Sequence, residues 1–237
     1  MSKKSIFALA CVVILPVLSY FLVRFYSAAA IEMPRRFYPD SVVSKIVNGK
    51  QQTDTVWHRV KNITLTNQLG KSVSLDDIRG KIIVADFFFT RCPSICPRLT
   101  KNMKALQDGM HLKDKQKIAD TPYVQFLSFS VDPERDSVSV LKKYADRNGI
   151  NHDTWWMLTG PKKTIYDFGL NELKLPLQDG ESVDSNFIHT DRFVLLDRDH
   201  VIRGYYRGLD SVSLSTLAED ITLLMLERDK KKKRKFF

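Results

Sequence analysis

The sequence predicts an α/β fold, a mixed central sheet flanked by helices on both faces. Two near-continuous apolar runs, Lys81–Phe89 and Tyr123–Val131, read as strands buried on both sides, as parallel pairing under two helical layers requires. Between and after them the apolar spacing switches to a helical period, giving strand, helix, strand, helix, strand, helix. A hairpin then closes the order, Phe193–Leu196 with Val201–Tyr206 across Asp197–His200, and makes the sheet mixed.

The elements follow in order. Ile6 to Val23 is an uncharged, mostly apolar run preceded by Lys3 and Lys4 and followed by Arg24. As a helix it spans roughly 27 Å, close to the hydrocarbon thickness of a bilayer. We expect a transmembrane anchor over residues 5–26, with 1–4 cytoplasmic and the remainder exported, since flanking lysines stay inside. A cleaved signal peptide ending at Ala28-Ala29-Ala30 is the competing reading, but Arg24, Phe25 and Tyr26 make a poor approach to a cleavage site. Cys11 is read as an apolar residue of the span. Residues 27–60, with Pro34 and Pro39, read as a tether and irregular lead-in. From there a single domain is expected over 61–229, a usual size for one core.

Within it, Ile63–Leu65 and Ser72–Leu75 flank a turn at Asn67–Gly70. Pro97–Leu112 carries Leu99, Met103, Leu106 and Met110 at helical spacing. Ser137 is placed to cap a helix that Gly149 stops, Trp155–Leu158 is a short strand, and Pro161 opens another helix. A last helix runs from near Ser213 to near Asp229, before a basic tail over 230–237.

Charge excludes one function class. The chain carries 37 Lys+Arg against 27 Asp+Glu, a net +10. The excess sits at the two ends, around the apolar span and in Lys230–Lys235, and residues 40–229 balance. The domain that could present a groove-binding face has no net positive charge, so we expect no nucleic-acid partner.

Chemistry concentrates at Arg91-Cys92-Pro93-Ser94-Ile95-Cys96-Pro97. The two cysteines follow a buried strand and open a helix, where free N–H groups and the helix dipole favour thiolate. Separation by four residues brings two sulfurs to one face of a helical turn. Such a pair can cycle between dithiol and disulfide or hold a soft metal ion. A purely structural disulfide closing so short a loop restrains the unfolded chain little. A closed zinc site wants four ligands. A histidine is the natural third ligand for another metal. His58, His111, His152 and His200 are poorly placed along the chain, whereas His189 precedes the strand at Phe193.

Phe89–Pro97 (FTRCPSICP), the later Phe129–Asp136 (FSVDPERD) and a histidine ahead of a hydrophobic hairpin resemble the Sco/SenC proteins, membrane-anchored copper chaperones of cytochrome c oxidase assembly. The lead-in Ile63–Lys71 and Ile78–Lys81 also match, and the resemblance covers about Ile63 to Leu226. It implies a thioredoxin-like fold with one copper ion, Cu(I) or Cu(II), held by Cys92, Cys96 and His189. The implied partners are a copper-accepting subunit of a cytochrome c oxidase and an upstream copper donor. Two lysines at the N-terminus without an Arg/Ser-rich amphipathic leader point to a bacterial inner membrane with the soluble domain in the periplasm, an organellar equivalent being the alternative. Where the family's histidine usually follows Asp, Ile188 stands here. If that carboxylate orients the imidazole, copper affinity differs in this chain.

The expected role is therefore metallochaperone rather than enzyme. The alternative is a thiol–disulfide oxidoreductase that reduces the cysteines of the oxidase copper site, using Cys92 and Cys96 without His189. Its spacing departs from the C-x-x-C of general oxidoreductases. The FSVDPERD segment reads as mainly structural, with Asp136-Ser137 at a helix start.

Overall fold

A computed structural model describes residues 12–24, 32–47, 50–114, 123–175 and 190–234. The chain divides into two compact units, Met1–Met33 and Pro34–Phe237. In the first, residues 12–24 form a helix, α1, whose apolar side chains stand exposed. The rest of the expected anchor, residues 5–11 and 25–26, lies outside the described residues, and among those described no helix is long and apolar enough to cross a membrane.

The second unit opens differently from the irregular lead-in that the sequence suggests. β1 (Pro39–Val47) and β2 (Lys50–Trp57) pair antiparallel as a hairpin, with Val47 opposite Lys50. Two residues, Asn48 and Gly49, lie between the strands, a dipeptide suited to a tight hairpin turn. The sequence gives it little pattern because its described side chains make no fully buried face: Val42, Val43 and Val56 are all exposed.

Seven strands form the main sheet: β3 (Thr64–Asn67), β4 (Ser72–Ser74), β5 (Ile82–Phe88), β6 (Val124–Ser130), β7 (Trp155–Thr159), β8 (Arg192–Leu196) and β9 (Ile202–Arg207). Their order is β4-β3-β7-β6-β5-β8-β9. β5, β6 and β7 run parallel at the centre, and β8 joins β5 antiparallel, so the sheet is mixed as expected. Every residue of β5 and of β6 is buried. Their alternation divides the core in two. Ile82, Val84 and Phe88 face one layer of helices, while Ile83, Ala85 and Phe87 face the other.

On the first face lie α2 (Cys96–Asp114), α3 (Val138–Arg147) and α5 (Ser211–Arg234), through Leu99 and Met103, Leu141 and Ala145, and Leu217 and Ile221. The second face is covered by α4 (Lys162–Asp167), the π turn Phe168–Glu172 and the segment from Val60 to the short 3-10 helix Leu75–Ile78. Gly149 adopts φ +63° just past α3, a conformation that stops a helix and suits glycine. Ser137 occupies the start of α3 without capping it; its hydroxyl meets Ser139 Oγ at 3.2 Å instead. α5 continues through Arg234, so most of the basic tail is helical.

Candidate functional site

The site begins where β5 ends. A strand buried on both faces must surface at its end, and Phe89–Ile95 makes that turn before α2 starts at Cys96. Pro97 fits the first helical turn, where its missing N–H leaves no bond unmade. Cys92 and Cys96 are both free thiols, and both are buried, at 6% and 4% exposure, among Phe88, Leu99 and Tyr206. The turn folds the sulfurs back onto the helical face of the sheet.

The two thiols are unlike. The Cys96 backbone N–H points at Cys92 Sγ at 3.5 Å, and the Ser94 hydroxyl lies 3.8 Å from the same sulfur. Burial pushes the Cys92 thiol up, but hydrogen bonds from the Cys96 thiol, the Cys96 and Ser94 N–H groups and the Ser94 hydroxyl together bring it below its ordinary value. Cys96 is raised far above the usual thiol range, first by burial, then by the Cys92 sulfur and, more weakly, the Asp86 carboxylate. Cys92 is thus the more readily ionised of the pair, and Cys96 holds its proton the more tightly. Arg91 is exposed, and it is Cys96 and Ser94 that move the Cys92 thiol.

Beneath the pair lies a buried polar layer that sequence reading passed over. Asp86 is 2% exposed and sits opposite Ser128 in the parallel register. Burial raises its carboxyl to about 7, against a hydrogen bond from Ser128 that lowers it, and its Oδ1 has no hydrogen-bond partner among the described residues. Ser128 in turn accepts from Trp155 Nε1 at 2.9 Å. Tyr144 closes the layer from α3, its hydroxyl 2.9 Å from Thr100 Oγ1, and burial lifts it to about 12. The sequence signal for Asp86 was visible, a single charge inside an otherwise apolar strand.

Asp136 fastens the cysteine turn. Its carboxylate accepts from Thr90 N at 3.2 Å, from Thr90 Oγ1 at 2.5 Å and from Ser130 Oγ at 2.6 Å. The FSVDPERD segment is structural, as expected, but its target is the turn carrying Cys92 rather than the start of α3.

His189 lies outside the described residues, and so no three-ligand group is present among those described. The chain just beyond it is placed. Gly208 N–H donates to Asp191 O at 2.7 Å, and Asn102 Nδ2 donates to Gly208 O at 2.7 Å. A Cβ on Gly208 would lie 2.5 Å from Leu99 Cδ2 and 3.0 Å from Asp191 O. Residue 191 is therefore held close against the first turns of α2, one helical turn from Cys96. Of the other histidines, His58 lies between Asp40 and Glu172 at 3.6 and 3.5 Å, and His152 meets Asp146 at 3.0 Å. His200 sits buried in the β8–β9 turn, and the side chain of His111 lies outside the described residues.

Comparison with known proteins matches this arrangement. The SCO1/SenC family model matches residues 51–226, starting inside β2. The SCO1 protein homolog of Bacillus subtilis is 34% identical over 174 residues, 73% of this chain and 86% of that one. The mitochondrial SCO2 homolog of Danio rerio is 28% identical over 147 residues, and the chain spans only half of its length. A SCO1/SenC family lipoprotein from Bacillus anthracis superposes with a TM-score of 0.60 at 30% identity, over 71% of this chain and 95% of that one. BsSco, a member of the Sco family of cytochrome c oxidase assembly proteins in which a disulfide switch has been identified, gives 0.60 at 32%, over 71% and 94%. The thioredoxin-like architecture expected from the sequence is that of these Sco structures. A family match over well more than half the chain, with a one-third-identical bacterial relative along most of both lengths, places this chain in the SCO1/SenC family.

Proposed function

We propose that this chain is a membrane-anchored copper-binding metallochaperone that delivers copper to the copper centre of a cytochrome c oxidase subunit. The observation that carries it is the pair of free, adjacent thiols, Cys92 and Cys96, at the β5–α2 junction of a SCO1/SenC chain. Two sulfur donors suit Cu(I), and an imidazole nitrogen from His189 extends the set to Cu(II). Copper is cargo here. Cys92 gives up its proton the more easily, Cys96 must release its own as the ion enters, and His189 would complete the set from the segment that leads to Asp191, itself tied to Gly208. The family's BsSco, named among cytochrome c oxidase assembly proteins, supports the acceptor. The apolar run 6–23 supports retention in a bilayer, with the domain on the periplasmic side.

Metal analysis and copper titration of the purified chain test the reading. We expect one copper per chain, lost in Cys92→Ser and in Cys96→Ser and weakened at least tenfold in His189→Ala. Stoichiometric binding untouched by His189→Ala would remove the histidine from the site.

The inequality of the thiols favours one second reading, a thiol–disulfide oxidoreductase acting on the oxidase subunit. The Cys92 thiolate would attack a target disulfide and displace one target thiolate. Cys96, losing its proton, would then attack the mixed disulfide, leaving the target dithiol and a Cys92–Cys96 disulfide. Growth of a His189→Ala strain separates the two: lost oxidase assembly favours copper delivery, intact assembly favours thiol reduction.

A further inference from the structure

Around the cysteines the chain carries cations that nothing answers. Between Phe87 and Gln107 the sequence holds Arg91, Arg98, Lys101 and Lys104 and no Asp or Glu. Lys104 is taken up by Asp108, one turn along α2, at 2.5 Å. Arg91, Arg98 and Lys101 are exposed, and among the described residues none of the three has an ion-pair partner. The segments packed beside them supply little to offset that charge. On the stretch that Asp136 fastens to Thr90, Arg135 meets Asp132 at 3.5 Å, and Glu134 is the exposed acid. Across Gly208, Arg192 and Arg207 balance Asp191 and Asp210.

These positions run against the helix that bears them. The first turns of a helix carry partial positive charge, so acids stabilise them and cations cost stability. α2 has no acid in its first turn; Arg98 is its third residue and Lys101 its sixth. Three positions apart, the two share a face. Helical side chains tilt toward the N-terminus, so both lean to the end where Cys92 lies. Arg91 precedes that cysteine in the turn and is not among the groups that move its thiol. A local rule broken with no local compensation is the mark of a functional surface. The ground between the cations is apolar, with Pro93 and Pro97 exposed and Phe89 and Ile95 half-buried against the cysteine cluster. An apolar centre inside a charged rim is how protein interfaces are built.

We infer that Arg91, Arg98 and Lys101 form a charged docking rim for an acidic face of the protein that accepts copper from Cys92 and Cys96. Covered thiols pass an ion only to ligands brought up against them, so the acceptor has to lie over this mouth. A bilayer presents no such ligands. Three unpaired cations at the mouth select an acceptor with Asp and Glu beside its own metal ligands. Rim charges act mainly on encounter: they speed association and fix orientation, and salt screens them over roughly 8 Å at physiological strength. The inference rests on the copper-delivery reading and adds the chemistry of its partner.

The test uses the full chain in non-ionic detergent, with and without copper, and the reduced, copper-free soluble domain of the oxidase subunit from the same organism. Association and copper transfer are followed by stopped flow at about 20 mM and about 500 mM salt. We expect wild-type association to slow about tenfold or more at the higher salt. At the lower salt, Arg98→Glu/Lys101→Glu is expected to associate about tenfold or more slowly, and more slowly again when Arg91→Gln is added. The double variant is expected to bind copper as wild type does and to melt at the same or a higher temperature, since acids suit the start of a helix. A pair with only a structural role would lose stability on reversal. Association that ignores salt, or is equal in variant and wild type, overturns the inference, as does failure of the two proteins to associate. Residues 91–101 protected from hydrogen exchange by vesicles with about 30% phosphatidylglycerol, but not by the oxidase domain, assign the rim to lipid and also overturn it. A chain that binds no copper yet associates with this dependence on salt and charge faults the copper reading alone. Copper delivered equally fast by wild type and variant at both salts faults the rim alone.

Discussion

Asp86 is the only charged residue within β5, and it faces the same side of the sheet as the cysteines. Its carboxyl titrates at about 7 in the fold against 3.8 for the ordinary group. The folded state therefore binds a proton that the unfolded chain has already lost between those values. Stability from this group is full below about pH 4 and disappears as pH rises through 7. Between pH 5 and 8 the loss is on the order of 2–3 kcal/mol at about 1.4 kcal/mol per unit. Asp86→Asn is expected to remove that slope, read from denaturant midpoints of both proteins at the two pH values. Equal losses in wild type and variant would show that the slope belongs elsewhere. Residue type made Cys92 and Cys96 legible in the sequence, because few side chains do what paired sulfurs do. Asp86 left a signal, a lone charge in an apolar strand, but a run read for its hydropathy does not show that this residue shares a face with the sulfurs. Asp136 was hidden for another reason. An acid before a helix looks like a cap, and only the fold reveals that its oxygens turn to Thr90 and Ser130.

At the scale of elements, the proposed site is a junction of three pieces: the β5–α2 turn, the first turns of α2, and the chain entering β8. The last two meet at Gly208, which has room for no side chain. Gly208→Ala would press a methyl against Leu99, Phe193 and the backbone of Asp191. Leu99 can yield, but Asp191 is main chain and must move. The expected cost is about 1–3 kcal/mol of stability from overpacking. Copper affinity is expected to fall at least tenfold, measured by competition with a chelator, while both thiols still react with a thiol reagent. Lost stability with unchanged copper affinity would mean that this contact does not position the histidine segment. Periodicity made β5, β6 and α2 legible because each presents a buried face that fixes its pattern. Among the described side chains of β1 and β2 none is fully buried, so Asn48-Gly49 was their clearest mark in the sequence.

On the scale of the whole molecule, Arg203 joins segments that the sequence keeps far apart: Pro34, the β8–β9 hairpin at Asp197, and α5 at Glu227. It is 4% exposed, and Asp197 is likewise buried. Arg203→Ala strands a buried carboxylate, at an expected cost of about 3–5 kcal/mol. The same change is expected to free the lead-in, so that trypsin cuts at Arg35 and Arg36 faster than in wild type. Unchanged melting and unchanged cleavage would show that the clasp contributes nothing. The partition of charge, neutral core and basic ends, could be read from composition alone. The clasp could not, because no local pattern links residues 34, 203 and 227.

The turn after β5 also sets an order of events. Cys92 and Cys96 are neighbours in any conformation, and so short a loop closes in well under a microsecond. The strand that follows His189 lies about a hundred residues further on and must insert beside β5 before the two halves meet. In an oxidising compartment the sulfurs can therefore join while the chain is still unfolded. Once folded, the same pair is largely covered, and access to it is slower than in the open chain. A chain exported as proposed would then meet oxidant before its fold covers the pair, and a reduction would have to precede its first copper ion.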